Sequence, residues 1–379
     1  MKLVRAATIA NLTRTLFAVT LVLGTPARAA DLHAILVDVS AHFQFPGALL
    51  LVSAPEGTEI VTTGTANLAT GTPVTENTRF HVASVGKILT AAAVLQLVEA
   101  KALSPDDPVR PFLDGKEAER LTHLDQATIG RLLSHTSGLP DCLRNALFSI
   151  PEHPDIRWTA SEALRLGRCR PATPPGAYHY SNTNYILLGH ILEKRDGGDL
   201  ADILARRILG PLEMADSTVA VDSADPLLAH GYRMPNPQGE RRDGSLLAWS
   251  SRLGDAPLTT TGRDLERFFN SLFRPSQKRI LSPESLAAMR VERGRDEDEG
   301  YGWGLQRVES DAGLRLGHSG RFGGFSAEAW YYPDKDRIVI LLANGDEHSQ
   351  DEPMDMIEAG LFPPPPPVPP LNVLESGSR

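Results

Sequence analysis

Three groups of residues in this 379-residue chain combine types and spacings that could do covalent chemistry. The first is Ser84 and Lys87, at the head of the apolar run HVASVGKILTAAAVLQLVEA (His81 to Ala100). Residues three apart share one face of a helix. A serine becomes a nucleophile when a base lies within hydrogen-bond reach. A lysine can be that base if burial lowers its pKa. At a helix start, the Ser84 N–H also points where an oxyanion could form. On its own the pair equally fits a capped helix with a snorkelling lysine.

The second group is Tyr180-Ser181-Asn182, inside PPGAYHYSNTNYILLGHILE. Pro175-Gly176 signals a turn and a helix is expected from about Asn184, so Tyr180 and Asn182 would project from the intervening loop. A plain helix-capping loop has the same pattern. The third group is Gly317-His318-Ser319-Gly320-Arg321, near the end of an expected strand, where Gly320 could admit a closely approaching ligand or simply mark a bulge.

The elements that must position these groups follow from periodicity. DLHAILVDVSAHF (Asp31 to Phe43) has helical spacing, and GALLLVSAP and EIVTTGTANLA read as a hairpin divided by a Pro-Glu-Gly turn. Residues from about 88 to 230 are mostly short helical runs broken by Pro and Gly. YGWGLQRVE, LRLGHSG, FSAEAWYYP and RIVILLANG then read as strands, and QDEPMDMIEAGLF as a closing helix. The expected fold is α/β: one antiparallel sheet made from both termini, covering 31–82 and 240–361, with a helical lobe over 83–239. A cleft between the two would hold the site. The proline-rich segment 363–379 is expected to be an exposed tail favouring polyproline II.

Composition narrows the class further. Lys2, Arg5 and Arg14 precede the short apolar run Leu16 to Gly24, and Pro26-Ala27-Arg28-Ala29 supplies small residues for cleavage. Residues 1–29 therefore read as a signal peptide, and the protein as exported, periplasmic or secreted. The net charge is −9, and removing this segment takes away four basic residues and no acids. With no basic stripe, nucleic acid is not an expected partner. H-E-x-x-H and Walker-type patterns are absent, so neither a metal nor another cofactor is expected. The only cysteines, Cys142 and Cys169, could pair in an oxidising compartment or stay as buried thiols; the disulfide is the favoured expectation.

Taken in order, Ser84-x-x-Lys87, Tyr180-x-Asn182 and His318-x-Gly320 resemble the three motifs of the serine beta-lactamase and penicillin-binding-protein superfamily, in its class C and DD-peptidase-like branch. The similarity runs from about Gly47 to Gly345 and includes LLSHTSGLP, TTTGRDLERF and YGWGL. It implies the beta-lactamase/transpeptidase-like fold and an acyl-enzyme on Ser84. Lys87 would be the general base and Tyr180 a proton relay, while Asn182 would bind the substrate's amide or carbonyl. The N–H groups of Ser84 and Arg321 would form the oxyanion hole beside Gly320. His135, in SHTSG, is a structural signature in relatives.

Departures from the family pattern bear on substrate. His318 stands where many members carry lysine, which would make a fixed charge titratable. Gln306 occupies the place of an arginine that binds a terminal carboxylate in some carboxypeptidases. Arg307 would point to the opposite face, which leaves Arg321 as a candidate substitute. Ala256-Pro257-Leu258 replaces Gly-Gly-Leu. The expected activity is a serine hydrolase of small-molecule or peptide acyl donors, D-alanyl-D-alanine carboxypeptidase or peptidase-like. A carboxylesterase, a class C-like beta-lactamase and a non-catalytic penicillin-binding sensor follow in that order. Oligomeric state is not legible.

Overall fold

GALLLVSA and RIVILLA are apolar at almost every position, the composition of strands covered on both faces. In the computed structural model they lie side by side at the centre of a sheet. The structure describes residues 31–363 apart from 143–158, 167–168, 220, 235, 237, 251, 275–277, 298 and 347–351. The expected signal peptide and all but the first residue of the proline tail therefore lie outside the described residues.

The early strands are β1 (Gly47–Ala54), β2 (Gly57–Asn67), β3 (Thr72–Pro73) and β4 (Phe80–His81). The later ones are β5 (Thr259–Thr260), β6 (Gly294–Arg295), β7 (Gly300–Tyr301), β8 (Gln306–Ser310), β9 (Gly313–Phe322), β10 (Phe325–Tyr332) and β11 (Arg337–Ala343). Nine of them form one antiparallel sheet in the order β3-β2-β1-β11-β10-β9-β8-β7-β6, and β4 pairs with β5 apart from it. The first and last parts of the chain meet where Leu50 of β1 lies opposite Leu341 of β11. The sheet built from both ends is the arrangement read from the sequence, and the fold is mixed α/β.

Strand alternation sends the sheet's two faces to two cores. Ala48, Leu50, Leu341 and Trp330 pack against α1 (Leu32–His42) and the C-terminal helix α5 (Pro353–Leu361). Leu49, Leu51, Ala327 and Ala329 join the larger core with α2 (Lys87–Glu99), α3 (Asn182–Asp196) and α4 (Gly262–Phe273). Helix α2 is buried on nearly every side, which explains the absence of a polar stripe in KILTAAAVLQLVE.

Two boundaries differ from the sequence reading, both at the site. Ser84 lies in a 3-10 turn, Ala83–Gly86, and the α-helix starts only at Lys87. Helix α3 begins at Asn182 rather than Asn184, leaving Tyr180 on the extended segment before it. YGWGL is not one strand either. Gly304 turns the chain at φ +83 between β7 and β8, where a Cβ would fall 2.5 Å from that of Ala91 on α2.

Candidate active site

The turn that carries Ser84 is held in an unusual conformation. Ala83 sits at φ 47, a left-handed geometry that disfavours residues with a Cβ. Its N–H donates to His81 Nδ1 at 3.2 Å, and His81 Nε2 reaches the Ala256 carbonyl at 3.1 Å. A carbonyl only accepts, so the His81 proton is on Nε2 and Nδ1 is free to receive the Ala83 N–H. Burial lowers the His81 pKa to about 4, so the ring is a neutral strut at ordinary pH. Sequence reasoning passed over His81, whose only signal was its place just ahead of the serine.

Lys87 is fully buried, and its Nζ donates to three oxygens: Ser84 Oγ at 2.9 Å, Asn182 Oδ1 at 2.9 Å and the Asp255 carbonyl at 2.8 Å. Burial lowers its pKa to about 8, against the opposing pull of the Asp255 and Asp141 carboxylates. A neutral amine keeps two N–H donors and one lone pair. The carbonyl and amide oxygens can only accept, so they take the two N–H groups. The lone pair is then left for Ser84, the one partner with a proton to give. The arrangement fits a general base better than a snorkelling lysine.

Tyr180 lies under this pair, its ring centroid 5.1 Å from Lys87 Nζ. Burial pushes its phenol well above the usual range, and a hydrogen bond with Ser84 only partly offsets that. Tyr180 therefore keeps its proton, and Lys87 is the group that is more readily deprotonated. His135 packs behind Tyr180 with ring centroids 4.3 Å apart, and its Nδ1 accepts from the Ser181 N–H at 3.2 Å. It is buried and neutral, a support for the tyrosine. The Asn182 oxygen is committed to Lys87, so only its amide nitrogen is left for a substrate carbonyl.

The third group lies on β9. A Cβ on Gly320 would come 2.7 Å from the Ser84 nitrogen and 2.9 Å from the Val82 oxygen, so only glycine lets the strand lie this close. Strand β8 pairs with β9 only as far as Gln306 opposite Gly317, leaving the next stretch of β9 edge open. The Ser319 N–H points to that edge, donating to Gln306 Oε1 at 2.6 Å. Backbone alternation then directs the Arg321 N–H to the same edge, beside the nucleophile.

Two expectations for this strand are corrected. His318 is not a titratable cation near neutral pH. Its Nδ1 lies 2.5 Å from the Ser319 carbonyl and its Nε2 lies 3.0 Å from the Tyr301 hydroxyl. The ring is thus a Nδ1–H tautomer accepting from Tyr301. Burial, together with the nearby Lys87 charge, lowers its pKa to about 3. The Arg321 side chain also does not replace the missing carboxylate-binding arginine. Alternation places it on the face opposite His318 and Gly320, where it pairs with Glu352 ahead of α5.

Ser84 stands between two recesses. One, of 620 Å³, runs past Asn182, Asp255 and Phe322. The other, of 640 Å³, runs past His318 and the open β9 edge. Sequence reasoning also missed the role of Glu299. Gln306 Nε2 donates to it at 2.8 Å and Tyr178 Oη lies 3.4 Å away, so the side chain standing in the arginine's place is tied to an acid. Cys142 and Cys169 are joined in a disulfide. Among the described residues, no group of three or more His, Cys, Asp or Glu is placed to hold a metal ion.

The family model described as Beta-lactamase matches residues 32–361. The chain belongs to that family. It is a serine hydrolase related to beta-lactamases and penicillin-binding proteins. A penicillin-binding protein of Bacillus subtilis (strain 168) is 29% identical over 329 residues, covering 82% of this chain and 70% of the relative. A D-aminopeptidase of Brucella canis is 28% identical over 315 residues, covering 80% of this chain but only 57% of its own length. Among solved structures, the D-amino acid amidase of Ochrobactrum anthropi complexed with D-phenylalanine is 26% identical, with a TM-score of 0.71 over 87% of this chain and 97% of that one.

Proposed function

We propose that the protein is an exported amide hydrolase of the aminopeptidase or amidase type, releasing a D-amino acid from an amide or short peptide through an acyl-enzyme on Ser84. Neutral Lys87 takes the Ser84 proton as Oγ bonds to the substrate carbonyl carbon. The N–H groups of Ser84 and Arg321 receive the negative charge that moves onto the carbonyl oxygen. Collapse breaks the C–N bond, and the departing amine takes a proton from Tyr180, which is replenished from the Lys87 ammonium. Water then cleaves the ester by the reverse proton path. With a Lys87 pKa of about 8, about a tenth of the enzyme holds the base form at pH 7.

The observation that carries the substrate reading is the Gln306–Glu299 contact at the β9 edge. A carboxypeptidase needs a cation for the terminal carboxylate of its leaving group. Here His318 is neutral, Arg321 is paired with Glu352, and position 306 presents an amide bound to an acid. The similarity to a D-aminopeptidase and a D-amino acid amidase supports the D-configured acyl group. Comparing kcat/KM for D-phenylalaninamide and D-alanyl-p-nitroanilide with that for N-acetyl-D-alanyl-D-alanine tests it. The two amides should lead by at least about tenfold, the scale of one lost charge contact. Faster cleavage of the dipeptide would restore the carboxypeptidase, and turnover of esters alone the esterase. Export rests on residues 1–29, and the full chain expressed in a bacterial host should yield a mature terminus at Ala30 or Asp31.

A further inference from the structure

The recess beyond His318 is acidic and leads away from the nucleophile, on the side opposite Asn182. From Ser84 it crosses the open edge of β9 and reaches the face of the sheet that carries Trp330 and α5. Both arginines in its walls already have anionic partners. Arg315 Nη1 lies 2.5 Å from Glu358 Oε1 and 3.4 Å from Asp355 Oδ1, and Arg321 pairs with Glu352. Glu299 and Glu328 have no arginine or lysine within ion-pairing distance among the described residues.

Glu328 is the sharper observation. It is only 4% exposed, yet it lines the recess. Its Oε2 accepts from Trp330 Nε1 at 2.6 Å, while Oε1 accepts no hydrogen bond from the described residues. That oxygen opens onto the recess, where a bound cation would reach it. Asn182, expected to bind the substrate's amide or carbonyl, lines the other recess. The acyl group therefore belongs on that side, and the departing group on this one.

We infer that this groove selects a positively charged leaving group, with Glu328 and Glu299 recognising its cation as the acyl group passes to Ser84. The inference rests on the proposed function for acyl transfer at Ser84 but not for the nature of the scissile bond. A leaving group with a carboxylate would meet two acids here. One with an ammonium would find two carboxyls that no arginine pairs directly, Arg315 acting on both and Arg321 on Glu328 only at longer range. Burial raises both carboxyls to about 7. Glu299 is faced by Tyr178, Gln306, Asp296 and Arg315, and Glu328 by Trp330, Glu352, Arg315 and Arg321. The preference for a cation should accordingly be strong above neutrality and fade below it.

D-Alanine esters of choline, 3,3-dimethylbutanol and glycolate test this directly. The first two leaving groups have nearly the same shape and differ in charge, while glycolate carries the opposite charge. At pH 8 kcat/KM should favour the choline ester over the dimethylbutyl ester by about tenfold or more, with glycolate last. The choline advantage should shrink toward parity at pH 6, and the Lys87 ionisation cancels because it is common to both esters. Glu328→Gln and Glu299→Gln should each reduce the advantage at pH 8. A choline ratio of one or less in the wild type, an undiminished ratio in both variants, or no turnover of any of the three esters overturns the inference. Amide turnover without charge ordering among the esters removes this inference alone. Charge ordering without amide turnover removes the amide-hydrolase reading instead.

Discussion

Lys87 and Asp255 meet twice: the lysine Nζ donates to the Asp255 carbonyl at 2.8 Å, and the buried Asp255 carboxylate pulls on the same ammonium. One carboxyl oxygen, Oδ1, has no partner among the described residues. Burial raises the Asp255 pKa to about 6, so above that pH the group is charged and favours the protonated lysine. Asp255→Asn removes that charge and lets the Lys87 pKa fall below about 8. The acid limb of kcat/KM should move down by about one unit, and activity at pH 6.5 should rise. An unchanged profile from a folded variant would show that Asp255 acts through its backbone alone.

Ser84→Ala should abolish acylation while leaving the fold intact. Ser84 and Lys87 act as a unit, so kcat/KM should drop by about four orders of magnitude or more. Intact-mass measurement after incubation with a fluorophosphonate should show one adduct on the wild type and none on the variant. An adduct on both would place the nucleophile elsewhere.

His318 should not titrate in the range where a free histidine does. Its pKa of about 3 lies below the usual value, so the charged form appears only as pH falls through that lower range. Imidazole nitrogen shifts followed by NMR should stay constant from pH 5 to pH 8, with the proton on Nδ1. A midpoint near 6.5 would contradict the buried tautomer and restore a cationic role.

Gly320→Ala should damage catalysis more than binding. The added Cβ would lie 2.7 Å from the Ser84 nitrogen and 2.9 Å from the Val82 oxygen, both backbone atoms with little room to yield. Separating β9 from the Ser84 turn spoils the oxyanion site, which should cost about a hundredfold in kcat with a smaller change in KM. A normal kcat would mean that the N–H of Arg321 does not serve the reaction.

Peptide mapping without reductant should recover Cys142 and Cys169 linked. For a sequence separation of 27, loss of the link in a Cys142→Ala, Cys169→Ala double variant should lower stability by about 3 to 4 kcal/mol. Denaturant unfolding measures that difference. Equal stability with and without the bond would mean that the unfolded chain is not constrained by it.

What could be read from the chain alone was whatever short-range spacing records. Ser84 and Lys87 are three apart, Tyr180 and Asn182 two apart, and the structure brings all four to one place. The two-ended sheet was legible too, because residues covered on both faces leave continuous apolar runs such as ALLLV and IVILLA. Tertiary structure decided the charges and the substrate side of the site. His318 reads as a pH switch in sequence, and only its burial against Tyr301 and Lys87 makes it neutral. Arg321 looked available until β9's alternation turned it to Glu352, while Gln306 acquired its meaning from Glu299. Asp255 is 168 residues from the lysine whose ammonium it stabilises. Protonation and partnership depend on desolvation and on neighbours brought close by folding, and neither leaves a trace in local spacing.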